Sequence, residues 1–253
     1  MSDVLSTNQA HFSKIAGEYD QRNAPTIVRL EREVQARVPF IGVKPGSRFL
    51  DYACGTGMLS RALSKDVGES IGIDLTENMV KMYNAQAQDE GSSALRSAYH
   101  GNLADPSDPS PEALSDAKFF SFDLAGVGLG WHHFENCELA AKRLAERLSP
   151  GGVFFVVDFA SHEMDSAQSK QHGVTHHGFS KEEIKAQFEG AGLGGDFAFE
   201  EFAEPVEFKT LHGAGHDGHG EGHGEGHEHG HGHGHGEEQI VKRRVFIARG
   251  TKL

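Results

Sequence analysis

The chain has 253 residues, enough for one α/β domain with a full core and near the upper size for a single one. Its formal charge of −13 argues against nucleic acid as the default partner, because binding phosphates takes a basic face, and favours a small or neutral substrate. No apolar run reaches the roughly 18 residues of a membrane span, the two cysteines make no disulfide framework, and the N-terminus lacks an apolar signal core, so the cytosol or nucleus is expected.

In chain order, residues 11–19 read as a short helix with Phe12, Ile15 and Ala16 on one side. Asn23 reads as an N-cap with Pro25 near the first turn, opening a helix with Ile27, Leu30, Val34 and Val38 at 3.6-residue spacing until Pro39 stops it. Residues 49–74 then read as strand, glycine loop, helix and strand. The loop is Asp51-Tyr52-Ala53-Cys54-Gly55-Thr56-Gly57, and the second strand closes on Asp74. Glycines there allow positive φ and close approach of the backbone, and the following helix N-terminus offers unpaired N–H groups. An acid at the end of the next strand is placed to accept both hydroxyls of a ribose, so the expected ligand contains a nucleoside.

Two cofactor classes fit such a loop. A dinucleotide fingerprint needs a third glycine where this chain has Ser60, and Asp51 would repel a pyrophosphate. Asp51 suits an ammonium group, which it meets directly or through water. The stretches DYACGTG and GIDLTENMV resemble the glycine loop and acidic partner of the class I S-adenosylmethionine-dependent methyltransferases. The most similar branch is the small-molecule group around the ubiquinone/menaquinone-biosynthesis enzymes. That resemblance implies a Rossmann-like, seven-stranded, mostly parallel sheet with helices on both faces and a C-terminal antiparallel hairpin. It implies S-adenosylmethionine as methyl donor, with no catalytic metal, held by Tyr19, Asp51, Ala53, Gly55, Gly57, Asp74, Leu75, Met79, Asn102 and Leu103. The segment HFSKIAGEYD is similar to the branch's lid, which makes residues 1–40 a helical cap over a methyltransferase domain of residues 41–253, with Tyr19 closing on the methionine end of the cofactor. Asn102 departs from the Gly-Asp usual in related enzymes; its amide oxygen still accepts a hydrogen bond.

Further along, Thr76 is placed to cap a helix over residues 78–88 that buries Met79, Val80 and Tyr83. Residues 97–100 and 119–124 read as strands three and four, and Gly126, Gly128 and Gly130 as an open turn around Trp131, His132 and His133. Ligands of open α/β sheets lie beyond the carboxyl ends of the strands, where this turn falls. A helix over residues 136–148 ends in Ser149-Pro150-Gly151-Gly152 before a strand over residues 153–159. The polar stretch over residues 160–178 reads as a loop, and Ser180 with Glu183 as a capping box. Residues 197–211 and 239–248 should pair as the closing hairpin.

Between them lies a histidine and glycine tract, residues 212–238, with nine of the chain's 17 histidines. It has too little apolar surface to fold alone, so disorder is expected. Histidines at i, i+2 and i+4 suit weak, unselective binding of Zn²⁺, Ni²⁺ or Cu²⁺; a pH-responsive loop and a tolerated hairpin insertion are the other readings.

For methyl transfer the protein mainly holds the nucleophile in line in a dry pocket, and needs a base only if that nucleophile arrives protonated. The candidates for that chemistry are His132 and His133, with Tyr19 orienting substrate or cofactor. The expected acceptor is a small molecule. The alternatives are a nicotinamide-dependent oxidoreductase, a protein methyltransferase working with a protein partner, and a methyltransferase-like regulatory or metal-binding protein.

Overall fold

A computed structural model describes residues 3–161, 175–211 and 238–253. The histidine tract, apart from its last residue Glu238, and the loop histidines His162 and His172 lie outside the described residues.

Seven strands form one sheet in the order β3-β2-β1-β4-β5-β9-β6. The first five in sequence, β1 (Ser47–Tyr52), β2 (Val67–Asp74), β3 (Arg96–His100), β4 (Phe122–Gly128) and β5 (Leu148–Phe159), run parallel. The remaining two, β6 (Gly195–Glu201) and β9 (Val245–Thr251), join through antiparallel pairing of β9 with both β5 and β6. The expected mostly parallel architecture with an antiparallel end is therefore present. Strand order reverses between β1 and β4, which opens a crevice at their carboxyl ends.

Period-two alternation sorts the strands' side chains onto two faces. Leu50, Tyr52, Ala125, Val127, Phe154 and Val156 pack on one side with α6 (Cys137–Arg147) and α7 (Lys181–Gly190). Phe49, Leu124, Phe155 and Val157 pack on the other with Leu30 and Val34 of α2 (Tyr19–Ala36), Ile41 of α3 (Val38–Ile41) and Leu59 of α4 (Met58–Ala62). Helix α5 (Glu77–Asp89) buries Met79, Val80, Tyr83 and Ala87, as its spacing predicts.

Several local expectations are corrected. The first helix, α1, runs over Asp3–Ile15, and a 3₁₀ turn over Ala16–Glu18 leads directly into α2. Asn23 and Pro25 thus lie inside α2; the Asn23 amide donates back to the carbonyl of Tyr19 at 2.8 Å. Pro25 has no N–H to donate to the preceding turn, yet the burial of Ile27, Leu30 and Val34 outweighs that lost bond. Pro39 does not stop the helix, which ends at Ala36; it sits in the first turn of α3. Thr76 occupies the N-cap of α5 without a side-chain capping bond. By contrast, Asn136 caps α6 by accepting from Leu139 N, and Ser180 and Glu183 form the predicted capping box.

The fourth strand starts later than expected and takes in the glycines, so Gly126 and Gly128 belong to β4 and not to an open turn. A Cβ on Gly126 would stand 2.5 Å from the Phe155 ring, which explains a glycine in a buried strand. The closing hairpin exists but is split. Its outer halves, β6 and β9, join the main sheet, while β7 (Val206–Leu211) and β8 (Glu238–Arg243) form a separate two-stranded ribbon. Pro205 on one arm and Arg244 on the other mark the break, where β pairing is interrupted. The ribbon packs on α2, with Thr26 Oγ1 donating to the carbonyl of Glu207 at 2.7 Å.

Candidate active site

At the carboxyl ends of β1 and β4 the chain leaves a cleft roofed by α1 and α2, enclosing about 930 Å³ counted out to its mouth. The floor is the loop after β1. Gly57 ends it with φ +97°, and a Cβ there would lie 2.7 Å from the buried Tyr83 ring, so only glycine fits.

Asp74 closes β2 at the cleft wall, only 8% exposed. Its Oδ2 accepts from Gly55 N and its Oδ1 from Thr76 N, both at 2.8 Å. The Thr76 side chain bonds this carboxylate as well. Burial raises its pKa, opposed by those backbone bonds. Asp51 turns away from the cleft. Its Oδ2 accepts from Ser60 N at 3.1 Å and Ser60 Oγ at 2.7 Å, tying the first turn of α4 to β1. Burial pushes its carboxyl up to about 7 against those two bonds.

Of the residues predicted from sequence, Tyr19, Ala53, Gly55, Asp74, Leu75, Met79 and His133 line the cleft. Asp51, Gly57, Asn102, Leu103 and His132 do not line it. Asn102 Oδ1 accepts from the hydroxyl of Tyr52 at 3.0 Å and from Ala104 N at 2.9 Å, and that hydroxyl in turn accepts from the backbone of Leu103 and Ala104. This network shapes the loop after β3. Burial, with Asp20 and Asp74 beside it, pushes the Tyr19 phenol up to about 12, so at neutral pH it keeps its proton and can donate a hydrogen bond. His133 meets the Phe12 ring edge-on at a centroid distance of 5.2 Å.

Sequence reasoning missed the polar fastening of the roof. Asp20 accepts from the Thr56 hydroxyl and the Gln86 amide, and Arg61 binds Glu31, Gln86 and the Thr56 carbonyl, all at the edge of the glycine loop. On α1, Gln9 donates to the Leu75 carbonyl at 3.3 Å and Asn8 to the His133 carbonyl at 3.4 Å. Asn8 Oδ1 is buried in the roof with no partner among the described residues. The one legible signal was Asp20 beside Tyr19 in the lid-like segment. Asp158, an acid inside the apolar run of β5, was a second signal that went unread.

Comparison with known proteins agrees with this geometry. Residues 4–175 match the model of the ubiE/COQ5 methyltransferase family. An uncharacterized methyltransferase of Schizosaccharomyces pombe is 27% identical over 234 residues, 76% of this chain and 81% of that protein. The demethylmenaquinone methyltransferase of Desulfitobacterium hafniense is 31% identical over 166 residues, but that match spans 64% of this chain and 62% of the relative. Among solved structures, an S-adenosylmethionine-dependent methyltransferase from Aquifex aeolicus superposes with a TM-score of 0.57 at 16% identity, covering 95% of this chain and 98% of that one. This last likeness speaks for the fold.

Proposed function

The chain belongs to the ubiE/COQ5 methyltransferase family and is an S-adenosylmethionine-dependent methyltransferase; from that premise we propose that the cleft under α1 and α2 holds the cofactor and a small aromatic acceptor with an ionisable hydroxyl. The observation that carries the reading is Asp74, a buried acid that ends β2 at the cleft wall beside the glycine loop, whose Gly55 N–H it accepts from. An acid in that place is positioned to accept from ribose hydroxyls. Gly55, at φ +51° with open space where a Cβ would be, lets a ligand approach the backbone. Leu75 and Met79 offer the apolar surface that a purine face needs, and Tyr19 donates a hydrogen bond from the roof. When bound, S-adenosylmethionine supplies an electrophilic methyl group on its sulfonium.

The chain's own residues do the rest. Phe12, Ile27, Leu30, Leu129 and Phe134 keep water from the reacting centre, and His133 is the imidazole placed in the wall to take the acceptor's proton. A quinol-type acceptor is favoured by the aromatic lining and by the activity named for relatives such as the Desulfitobacterium hafniense enzyme. The histidine tract is proposed as a weak site for divalent transition metals, apart from the chemistry. Cys54 and Cys137, both free and buried, favour a reducing compartment, cytosol or nucleus.

Calorimetric titration with S-adenosylmethionine and S-adenosylhomocysteine tests the reading, with NADH and NADPH as controls. Binding of both adenosyl ligands, weakened at least about tenfold, or about 1.4 kcal/mol, by Asp74→Ala, is expected. No binding by folded wild-type protein, or equal binding by the variant, would overturn it.

A further inference from the structure

The last parallel strand carries, one residue before its end, an acid that cofactor binding does not use. Asp158 lies in the β5 run Val156-Val157-Asp158-Phe159 and is fully buried. A carboxylate in such surroundings costs several kcal/mol unless donors meet it, and three do. Oδ1 accepts from the backbone N–H of Phe159 and from Nδ1–H of His132, both at 2.7 Å. Oδ2 accepts from the backbone N–H of His132 at 3.1 Å. Two of the three bonds therefore go to one residue, which is held by its ring as well as by its backbone. With the Nδ1 proton turned to Asp158, the free lone pair of that ring is on Nε2.

The His132 side chain is 8% exposed. It packs on Phe159 at a centroid distance of 4.8 Å and on His133 at 4.1 Å with 41° between the ring planes. The backbone of this turn is secured independently. The His132 carbonyl accepts from Thr175 N at 3.0 Å, Thr175 Oγ1 at 2.8 Å and His176 N at 3.2 Å, and His133 N donates to the Gly130 carbonyl at 3.1 Å. Those bonds and the two backbone bonds to Asp158 suffice to fix the main chain. What the bond from carboxylate to Nδ1 adds is the orientation and tautomer of an imidazole packed at a tilt against the one that faces the cleft. The bond helps to satisfy the buried carboxylate, and the ring orientation it sets also suits a reacting centre in which His133 must present one nitrogen.

We propose that Asp158 and His132 are positioning residues for His133, the carboxylate fixing the His132 ring and that ring fixing the His133 imidazole at the cleft wall. The proposal rests on the reading of the cleft as the methyl-transfer site, and it adds two residues to that site. Asp158→Asn keeps the shape but loses the charge that gathers three donors; Asp158→Glu changes the length and keeps the carboxylate.

The test needs no acceptor. Full-length wild type, Asp158→Asn, Asp158→Glu and His132→Gln are checked for folding by thermal unfolding and for S-adenosylhomocysteine binding by calorimetry. Each is then treated with diethyl pyrocarbonate, which acylates accessible neutral imidazoles. The rate at His133 is read by fragmentation mass spectrometry of the tryptic peptide of residues 119–142, which separates acylation of His133 from that of His132. The expected results are an Nδ1–H tautomer for His132 in ¹⁵N-histidine spectra of the wild type, and a rate at His133 at least about fivefold higher in Asp158→Asn and His132→Gln. In Asp158→Glu the rate returns to within about twofold of wild type. A rate at His133 unchanged or lowered in either His132→Gln or a folded Asp158→Asn would overturn the proposal, as would failure of Glu to restore it. If Asp158→Asn does not fold, His132→Gln and Asp158→Glu decide alone. The cleft reading has its own readout: bound S-adenosylhomocysteine should shield His133 in the wild type, and lack of shielding counts against that reading while leaving the positioning result intact.

Discussion

Asp51→Asn separates two roles for the acid that opens the glycine loop. In the folded chain Asp51 is 1% exposed and its carboxyl is raised from 3.8 to about 7, chiefly by burial and against two hydrogen bonds from Ser60. The unfolded chain releases that proton near 3.8, so between about pH 4 and 7 the folded state binds more protons than the unfolded one. Stability contributed by this residue therefore falls as pH rises through that window and levels off above 7. At about 1.4 kcal/mol per pH unit, the whole span is about 4 kcal/mol. The Asn variant has no proton to lose, and its amide oxygen still accepts from Ser60, so the slope disappears. The assay is urea unfolding at intervals from pH 4.5 to 8, followed by the fluorescence of Trp131, the chain's single tryptophan, which is fully buried. Other titrating groups, the 17 histidines included, are common to both proteins and cancel in the difference. The stability of the variant relative to wild type should climb by about 3 kcal/mol between pH 5 and 7.5. A difference flat to within about 1 kcal/mol over that range would refute the idea that the loop keeps a protonated acid behind it.

Gly57→Ala, strained at φ +97° and pressed against Tyr83, should lose about 2–5 kcal/mol in urea unfolding. Gly55→Ala has open space around its Cβ and should cost only about 1 kcal/mol of stability, yet weaken S-adenosylhomocysteine at least about tenfold by calorimetry. With 1,4-naphthoquinol as probe acceptor, His133→Gln should lower kcat about 100-fold or more and leave S-adenosylhomocysteine affinity within about threefold. Zn²⁺ followed by equilibrium dialysis should bind the full chain in several weak equivalents, lost when residues 212–237 are deleted, with cofactor affinity unchanged; equal uptake by the deletion variant would exclude the tract as the metal site.

The legible parts of this site were those whose causes are local in sequence. Gly57 and Asp74 are visible because a left-handed loop residue and a strand-ending acid each leave a mark within 20 residues. Ser180 with Glu183 was visible for the same reason. Asp51 was visible as a functional acid, but its target was not. A carboxylate in that loop can face a ligand or the N–H groups of the helix that follows, and only the packed fold shows it bonded to Ser60. The pairing of Asp158 with His132 spans 26 residues and that of Asn8 with His133 spans 125, so no window of sequence contains both partners. Pro25 and the split hairpin failed as readings because tertiary burial overrode a local signal in the first, and backbone breaks divided a continuous alternating pattern in the second.

Strand register explains why these distant residues meet. Tyr52 on β1 pairs with Ile73 on β2, and Asp51 pairs with Gly126 on β4. Asp74 and the segment from Val127 to Gly130 therefore leave the sheet on opposite sides of the glycine loop, and a slip of one residue in β2 would turn the Asp74 side chain to the other face. Helix α1 bridges the two sides, with Gln9 on the Leu75 carbonyl and Asn8 on the His133 carbonyl, while Asn78 donates to Ser13 Oγ at 2.8 Å. Each such bond contributes about 1 kcal/mol net. These bonds, with the Phe12 ring packed edge-on against His133, hold α1 across the two sheet ends whose register assembles the floor.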